Sequence, residues 1–166
     1  MTIAIGARLP DGILMERIED PAGGEPTLLS HDVNELARGK RIALFAVPGA
    51  FTRTCSARHL PEFVALAAQL RAKGIDEIWC VSVNDAHVMA AWGAAHGAIG
   101  AIRMLGDGSA RWTHALGLAV DLGDKGMGWR SRRYSAIVEN GVLARLNLEA
   151  PGEFKISDAQ SLLEQV

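Results

Sequence analysis

Unbroken apolar runs of strand length alternate along this chain with stretches whose apolar residues recur every three or four positions. Arg41–Val47 (RIALFAV) is almost wholly apolar and stops at Pro48-Gly49. A strand without polar alternation is usually covered on both faces, as in a central parallel sheet. Glu77–Val83 (EIWCVSV) has the same character. Between them, Leu60, Phe63, Val64, Ala67, Ala68 and Leu70 lie at helical spacing, and Lys73-Gly74 supplies the basic residue and glycine that end a helix. Strand, helix and strand in that order predict a βαβ crossover. Asn84-Asp85 offers caps for a second helix, Ala86–His96, closed by Gly97. A short strand near Ile102–Leu105 leads to Asp107-Gly108 and a weak helical patch through Ala115. Gly117–Trp129 is glycine-rich without a clear period and reads as a loop. Arg130–Glu139 and Val142–Glu149 flank Asn140-Gly141, a strong hairpin signal. Ser157 is placed to cap a terminal helix running to Val166. The expected architecture is α/β, a mixed central sheet flanked by helices, in one domain over residues 1–166.

Composition narrows the function classes. A chain of 166 residues with 49% hydrophobic content can bury a core without disulfides or metal. A net charge of −2 gives no electrostatic reason to expect nucleic acid or an anionic membrane as partner. No apolar stretch approaches the roughly 18 residues that span a bilayer. Arg8 and Pro10 interrupt what would be the apolar part of a signal peptide, so the expected location is the cytoplasm. The two cysteines, Cys55 and Cys80, form neither a C-x-x-C pair nor a cluster with zinc spacing, and neither metal nor cofactor is expected.

Chemistry concentrates in Val47–Pro61 (VPGAFTRTCSARHLP), where the first buried strand hands over to the long helix. Loops at the carboxyl ends of strands are where open α/β sheets place their sites. Cys55 falls at the helix start, whose free N–H groups and positive dipole favour a thiolate. Ionisation alone is worth at most about thirtyfold in rate at neutral pH, roughly 2 kcal/mol, so larger acceleration needs groups that stabilise a transition state. Thr52 stands where a thioredoxin-type helix carries its first cysteine, which replaces a disulfide partner with a hydroxyl. The alternative is a buried structural cysteine with a threonine cap beside it.

Pro48, Thr52 and Cys55 spell P-x-x-x-T-x-x-C, and the wider run resembles the type II branch of the peroxiredoxins. Val81–Trp92 (VSVNDAHVMAAW), Leu105–Asp107, Arg132-Arg133-Tyr134 and Val138–Val142 (VENGV) match in the same order over nearly the whole chain. The resemblance implies a thioredoxin-like fold and thiol-dependent reduction of hydrogen peroxide and organic hydroperoxides. By position, Cys55 would attack the terminal peroxide oxygen and become a sulfenic acid. Thr52 would donate its hydroxyl to the thiolate and peroxide, Pro48 would shield the sulfenate, and Arg133 would hold the charge that develops. Strand alternation lets only one of Arg132 and Arg133 point inward without choosing between them; the resemblance chooses Arg133. Arg130 reads as part of a solvated basic edge. Where the family usually has proline before the second threonine, this chain has Arg53, which adds a positive charge at the rim of the loop.

Cys80 reads as core material, with a resolving role after local unfolding as the lesser alternative. Phe154–Ala159 lacks the C-terminal resolving cysteine of some relatives, which implies a one-cysteine enzyme recycled by glutathione with glutaredoxin, or by thioredoxin. The family also implies a homodimer. Other readings of Cys55 are a non-catalytic redox sensor and a single-cysteine thiol–disulfide exchange protein. His59, four residues after Cys55, is expected to pack or hydrogen-bond rather than to serve as a base, and His31, His87, His96 and His114 show no ligand spacing. Asp121, Asp124 and Gly126 lack the remaining oxygen ligands of a calcium loop. Leu116, Leu118, Val120 and Met127 are candidates for the mouth of the site.

Overall fold

Residues Ala43, Phe45 and Val47 enter one hydrophobic core while Ile42, Leu44 and Ala46 enter another, which is why the first apolar run carries no polar alternation. In the computed structural model, which describes residues 1–166, this run is strand β3 (Arg41–Val47). Before it come β1 (Ile13–Ile18), β2 (Thr27–Asp32) and the short helix α1 (Val33–Ala37). After it come α2 (Leu60–Ala72), β4 (Glu77–Ser82), α3 (Ala86–Ala95), β5 (Arg103–Gly106) and α4 (Arg111–Ala115). The chain continues through β6 (Ala119–Asp121), β7 (Trp129–Ser131), β8 (Tyr134–Glu139), β9 (Val142–Leu148) and α5 (Ala159–Gln165). Seven strands form one mixed sheet in the order β2-β1-β5-β4-β3-β8-β9. The predicted crossover is present: β3 and β4 are parallel, joined through α2, and β4 pairs in parallel with β5.

Helices cover both faces. Leu60, Phe63 and Leu70 of α2, Met89 and Trp92 of α3 and Leu162 of α5 fill one core. Trp112 of α4, Val33 and Ala37 of α1, and Leu9 fill the other. The hairpin at Asn140-Gly141 forms as its sequence demands, with left-handed φ of 49° and 77° at the two turn residues. Helix α3 starts on Asp85, whose carboxylate accepts from Val88 N. Three local expectations are corrected. Gly117–Trp129 is bounded by the strands β6 and β7, which pair with each other. The cap of α5 is Asp158, bonded to Ser161 N, and not Ser157. Leu116 and Leu118 are buried in the α4-side core and do not reach any mouth.

No helix is long and apolar enough to cross a membrane. The sheet delivers the site through register. Ala46 near the end of β3 pairs with Tyr134 at the start of β8, so the loop leaving β3 and the segment entering β8 meet at one sheet end. Gly106 closes β5 against the turn that follows β4: a Cβ there would stand 2.7 Å from Asn84 O and 2.9 Å from Ala86 N. Gly106→Ala is expected to destabilise the protein by about 1–3 kcal/mol through that overpacking, read as a lower midpoint in urea denaturation with an unchanged slope.

Candidate active site

The loop leaving β3 is held from behind by two side chains. Asn84 Oδ1 accepts from Ala50 N at 2.9 Å and from Ser82 Oγ at 2.7 Å. Arg130, expected at a solvated edge, is instead half-buried under the loop. Its Nε donates to Met127 O at 2.8 Å, and its Nη1 approaches Val83 O at 3.3 Å and Pro48 O at 3.5 Å. A Cβ on Gly49 would lie 3.0 Å from Thr52 Cγ2 and 3.1 Å from Arg130 Nη1, so glycine permits this close packing. Phe51 adopts a left-handed φ of 59°, a strained state for a bulky residue.

Cys55 opens a π-helical turn, Cys55–His59, that runs directly into α2, with Leu60 N bonded to Cys55 O. Pro61 supplies the reason for the wider turn: it has no N–H for the Ala57 carbonyl, and in a regular helix its ring would crowd that carbonyl. Trp92 Nε1 donates to Ser56 Oγ at 2.9 Å and fixes the turn from α3. The Cys55 side chain is fully buried, and Arg133 Nη2 donates to its Sγ at 3.1 Å. Of the adjacent arginines, Arg133 therefore faces the sulfur, while Arg132 Nη2 donates to Glu149 O at 3.0 Å.

His59, expected to pack or hydrogen-bond, does both. Its Nε2 lies 2.9 Å from Ser157 O and its Nδ1 lies 2.9 Å from Arg133 Nη1. A carbonyl only accepts, so Nε2 carries the proton. Burial, and then the neighbouring Arg133 charge, push the imidazole pKa down to about 3. The ring is therefore neutral, and its bare Nδ1 accepts from Arg133. Phe45, Phe63 and Phe154 surround it with ring centroids 5.0, 5.6 and 4.8 Å away, which excludes the water that a charged imidazole would need.

The Ser157 carbonyl is itself held in place. Glu149 Oε1 accepts from Lys155 N, Ile156 N, Ser157 N and Ser157 Oγ at 2.7–2.9 Å. Burial pushes this carboxyl up, but the three backbone N–H groups and the Ser157 hydroxyl outweigh it and leave the pKa below the usual range. One carboxylate thus folds the 155–157 strap, the strap aims its carbonyl at His59, and His59 aims Arg133 at sulfur. Glu149 and Ser157 were not anticipated. The signal available was an acidic residue directly after β9.

Thr52 Oγ1 donates to Gly49 O at 2.7 Å rather than to the sulfur, so its lone pairs face outward as acceptors. Pro48, Thr52, Thr54 and Arg133 line a cavity of about 380 Å³ with Val120, Leu122 and Met127. Cys80 sits on the inner strand β4 between Phe45 and Met104, fully buried. Burial, and then the charge of Cys55, raise its pKa well above the ordinary thiol range. No group of three or more His, Cys, Asp or Glu side chains is arranged to hold a metal ion.

Residues 6–163 match the Redoxin family model. The chain is 50% identical over 166 residues to the chloroplastic peroxiredoxin-2E-2 of Oryza sativa subsp. japonica, covering 98% of this chain and 72% of that one. It is 43% identical over 162 residues to peroxiredoxin-2B of Arabidopsis thaliana, covering 98% and 97%. The crystal structure of reduced Prx3 from Vibrio vulnificus in complex with H2O2 superposes with a TM-score of 0.90 at 49% identity, covering 99% of each chain.

Acid stability should carry the signature of His59. In the unfolded chain this histidine takes up a proton near pH 6.5, whereas in the native state it resists protonation until about 3. The unfolded state therefore binds more protons between these values, and stability falls as pH drops through that window, by up to about 1.4 kcal/mol per unit from this group. His59→Gln should have a flatter stability curve than the native protein between pH 6.5 and 4 in urea titrations. Parallel curves would refute the neutral, buried assignment. Glu149→Ala leaves three N–H groups and a hydroxyl without their partner, and should cost about 2–4 kcal/mol by the same measurement.

Proposed function

This chain belongs to the peroxiredoxin family, and from that premise we propose that Cys55 is the peroxidatic thiol of a one-cysteine, type II enzyme. Its fold is thioredoxin-like, and its relatives support thiol-dependent peroxidase activity. The observation that carries the assignment to Cys55 is the 3.1 Å hydrogen bond to its buried sulfur from Arg133, a residue that also lines the cavity.

In the proposed cycle the Cys55 thiolate attacks the terminal oxygen of a hydroperoxide in line with the O–O bond. A sulfur–oxygen bond forms, the oxygen–oxygen bond breaks, and the sulfur loses two electrons to become a sulfenic acid. The departing alkoxide or hydroxide takes up a proton and leaves as alcohol or water. Arg133 lies against both the sulfur and the path of the leaving oxygen, so its cation strengthens its grip as charge moves across. Thr52, with its own proton on Gly49 O, accepts a hydrogen bond from the peroxide hydroxyl and orients it. Pro48 walls the cavity against water. An external thiol then displaces hydroxide from the sulfenic sulfur as water, giving a mixed disulfide that a second thiol reduces. Glutathione with glutaredoxin, or thioredoxin, would serve. The deep burial and raised pKa of Cys80 favour this external route over an internal disulfide. A homodimer is part of the same proposal and rests on the family resemblance.

Cys55→Ser should abolish peroxide turnover, and Cys80→Ser should retain it. Arg133→Ala should slow oxidation of Cys55 by far more than the thirtyfold that ionisation accounts for, measured by stopped flow above the pH at which the thiol is fully ionised. A loss confined to the change in thiolate fraction would refute transition-state stabilisation by Arg133. A Cys55–Cys80 disulfide in mass spectra of peroxide-treated protein would overturn the one-cysteine cycle. Side-by-side turnover assays with glutaredoxin and with thioredoxin identify the reductant, and single oxidation without turnover by either would favour a sensor.

A further inference from the structure

The mouth of the cavity beside Cys55 holds more positive charge than its surroundings neutralise. Four basic side chains line it: Arg53, Lys125, Arg132 and Arg133. Arg133 is occupied by Cys55 and His59. The two carboxylates on the same wall, Glu149 and Glu153, are engaged elsewhere. Glu149 Oε1 is taken by the 155–157 strap, and Glu153 Oε1 is paired with Lys155 Nζ at 2.6 Å. Arg53, Lys125 and Arg132 take part in no ion pair. The same cavity is also lined by the apolar side chains of Val120, Leu122 and Met127. A lining that combines cations outside any ion pair with apolar side chains is complementary to a molecule with an apolar body and an anionic end.

We propose that Arg53 and Lys125 recognise the carboxylate of an acid-bearing organic hydroperoxide, making fatty-acid-type hydroperoxides the substrate class the site selects. The proposal rests on Cys55 as the reacting thiol. Both residues line the cavity, from segments far apart in the chain: the loop before the π turn and the tight turn Gly123–Lys125 after β6. The carboxylate belongs to the peroxide and not to a reducing thiol such as glutathione for a steric reason. With the Cys55 side chain fully buried, a slim –O–OH group reaches the sulfur with less displacement of its surroundings than a thiol does. An incoming thiol must bring a larger sulfur into line with the S–O bond, which requires the Cys55–His59 turn to open first. Arg53, Lys125 and Arg132 line the cavity in this conformation, in which Cys55 is buried.

The test uses the 9-hydroperoxide of an 18-carbon unsaturated fatty acid and its methyl ester, which differ only in the carboxylate. Single-turnover oxidation is followed by intrinsic tryptophan fluorescence, to which Trp92, bonded to Ser56 next to Cys55, contributes, and is checked by mass spectrometry of the quenched protein. The native protein should react with the acid about five- to twentyfold faster than with the ester at low ionic strength. Arg53→Glu/Lys125→Glu should bring the acid down to the rate of the ester or below it, and about 0.5 M salt should narrow the gap in the native protein. Oxidation by H2O2 should stay within about twofold in the variant. Equal rates for acid and ester in the native protein would overturn the proposal. So would a variant that slows H2O2 by the same factor, or one that slows only the later reaction with glutathione, which would assign the rim to the reductant. If H2O2 fails to oxidise Cys55 at all, the assignment of the thiol is wrong and this inference falls with it.

Discussion

A guanidinium held against a fully buried sulfur is the contact on which the rest of the site depends. Neither group tolerates that position alone. An arginine side chain is long and rotamer-rich, and it keeps one geometry only where each donor has a partner. Arg133 Nη2 has the sulfur, and Nη1 has His59 Nδ1. The second partner exists in one tautomer only. With the proton on Nδ1, two donors would face each other and the Ser157 carbonyl would face a lone pair. The Ser157 carbonyl selects the tautomer, and the Glu149 carboxylate holds the carbonyl. The apolar box of Phe45, Phe63 and Phe154 contributes by keeping the ring uncharged. An imidazolium there would place two cations in contact in a poorly screened environment.

Sheet topology explains how residues 78 positions apart meet. Strand β3 runs parallel to β4 and antiparallel to β8, so the end of the first lies beside the start of the last. The loop carrying Pro48, Thr52 and Cys55 leaves from one, and Arg133 enters the other. Behind them, Asn84 at the end of β4 and Arg130 after the β6–β7 loop hold the backbone at hydrogen-bonding distance. The site is thus a meeting of strand ends, where backbone direction changes and polar groups can face a cavity without breaking the ladder. Cys80 shows the contrast. It is a thiol in the middle of an inner strand, with neighbours on both sides and both faces, and burial keeps it protonated.

Legibility in the sequence followed the strength of local signals. The two apolar strands, the crossover helix, the Asn140-Gly141 hairpin and the reactive loop could be read directly, because each has a period, a cap or a turn chemistry of its own. Strands β1 and β2 were not visible. Thr27–Asp32 is solvent-exposed over nearly its whole length and shows no alternation, since it lies at the sheet edge and pairs only with β1. Strand β6 reads as loop, and most of β7 merges into the strand expected over Arg130–Glu139, because strands of three residues carry no periodicity of their own. Arg130 looked like an exposed edge charge, yet its donors go to three backbone carbonyls under the loop.

The amino-acid order alone determined the α/β class and the placement of Cys55 where β3 hands over to a helix, and through the family resemblance it supplied the short list of groups proposed to act on it. Those are properties of segments a dozen residues long, set by local periodicity and turn chemistry. Tertiary structure decided everything that depends on which donor meets which acceptor. It sent the Thr52 proton to Gly49, divided the adjacent arginines between sulfur and backbone, and gave His59 its tautomer. Hydrogen-bond partners are chosen by distances of a few tenths of an ångström between segments remote in the chain. No pattern within a segment encodes such distances; they exist only once the sheet has brought the strand ends together.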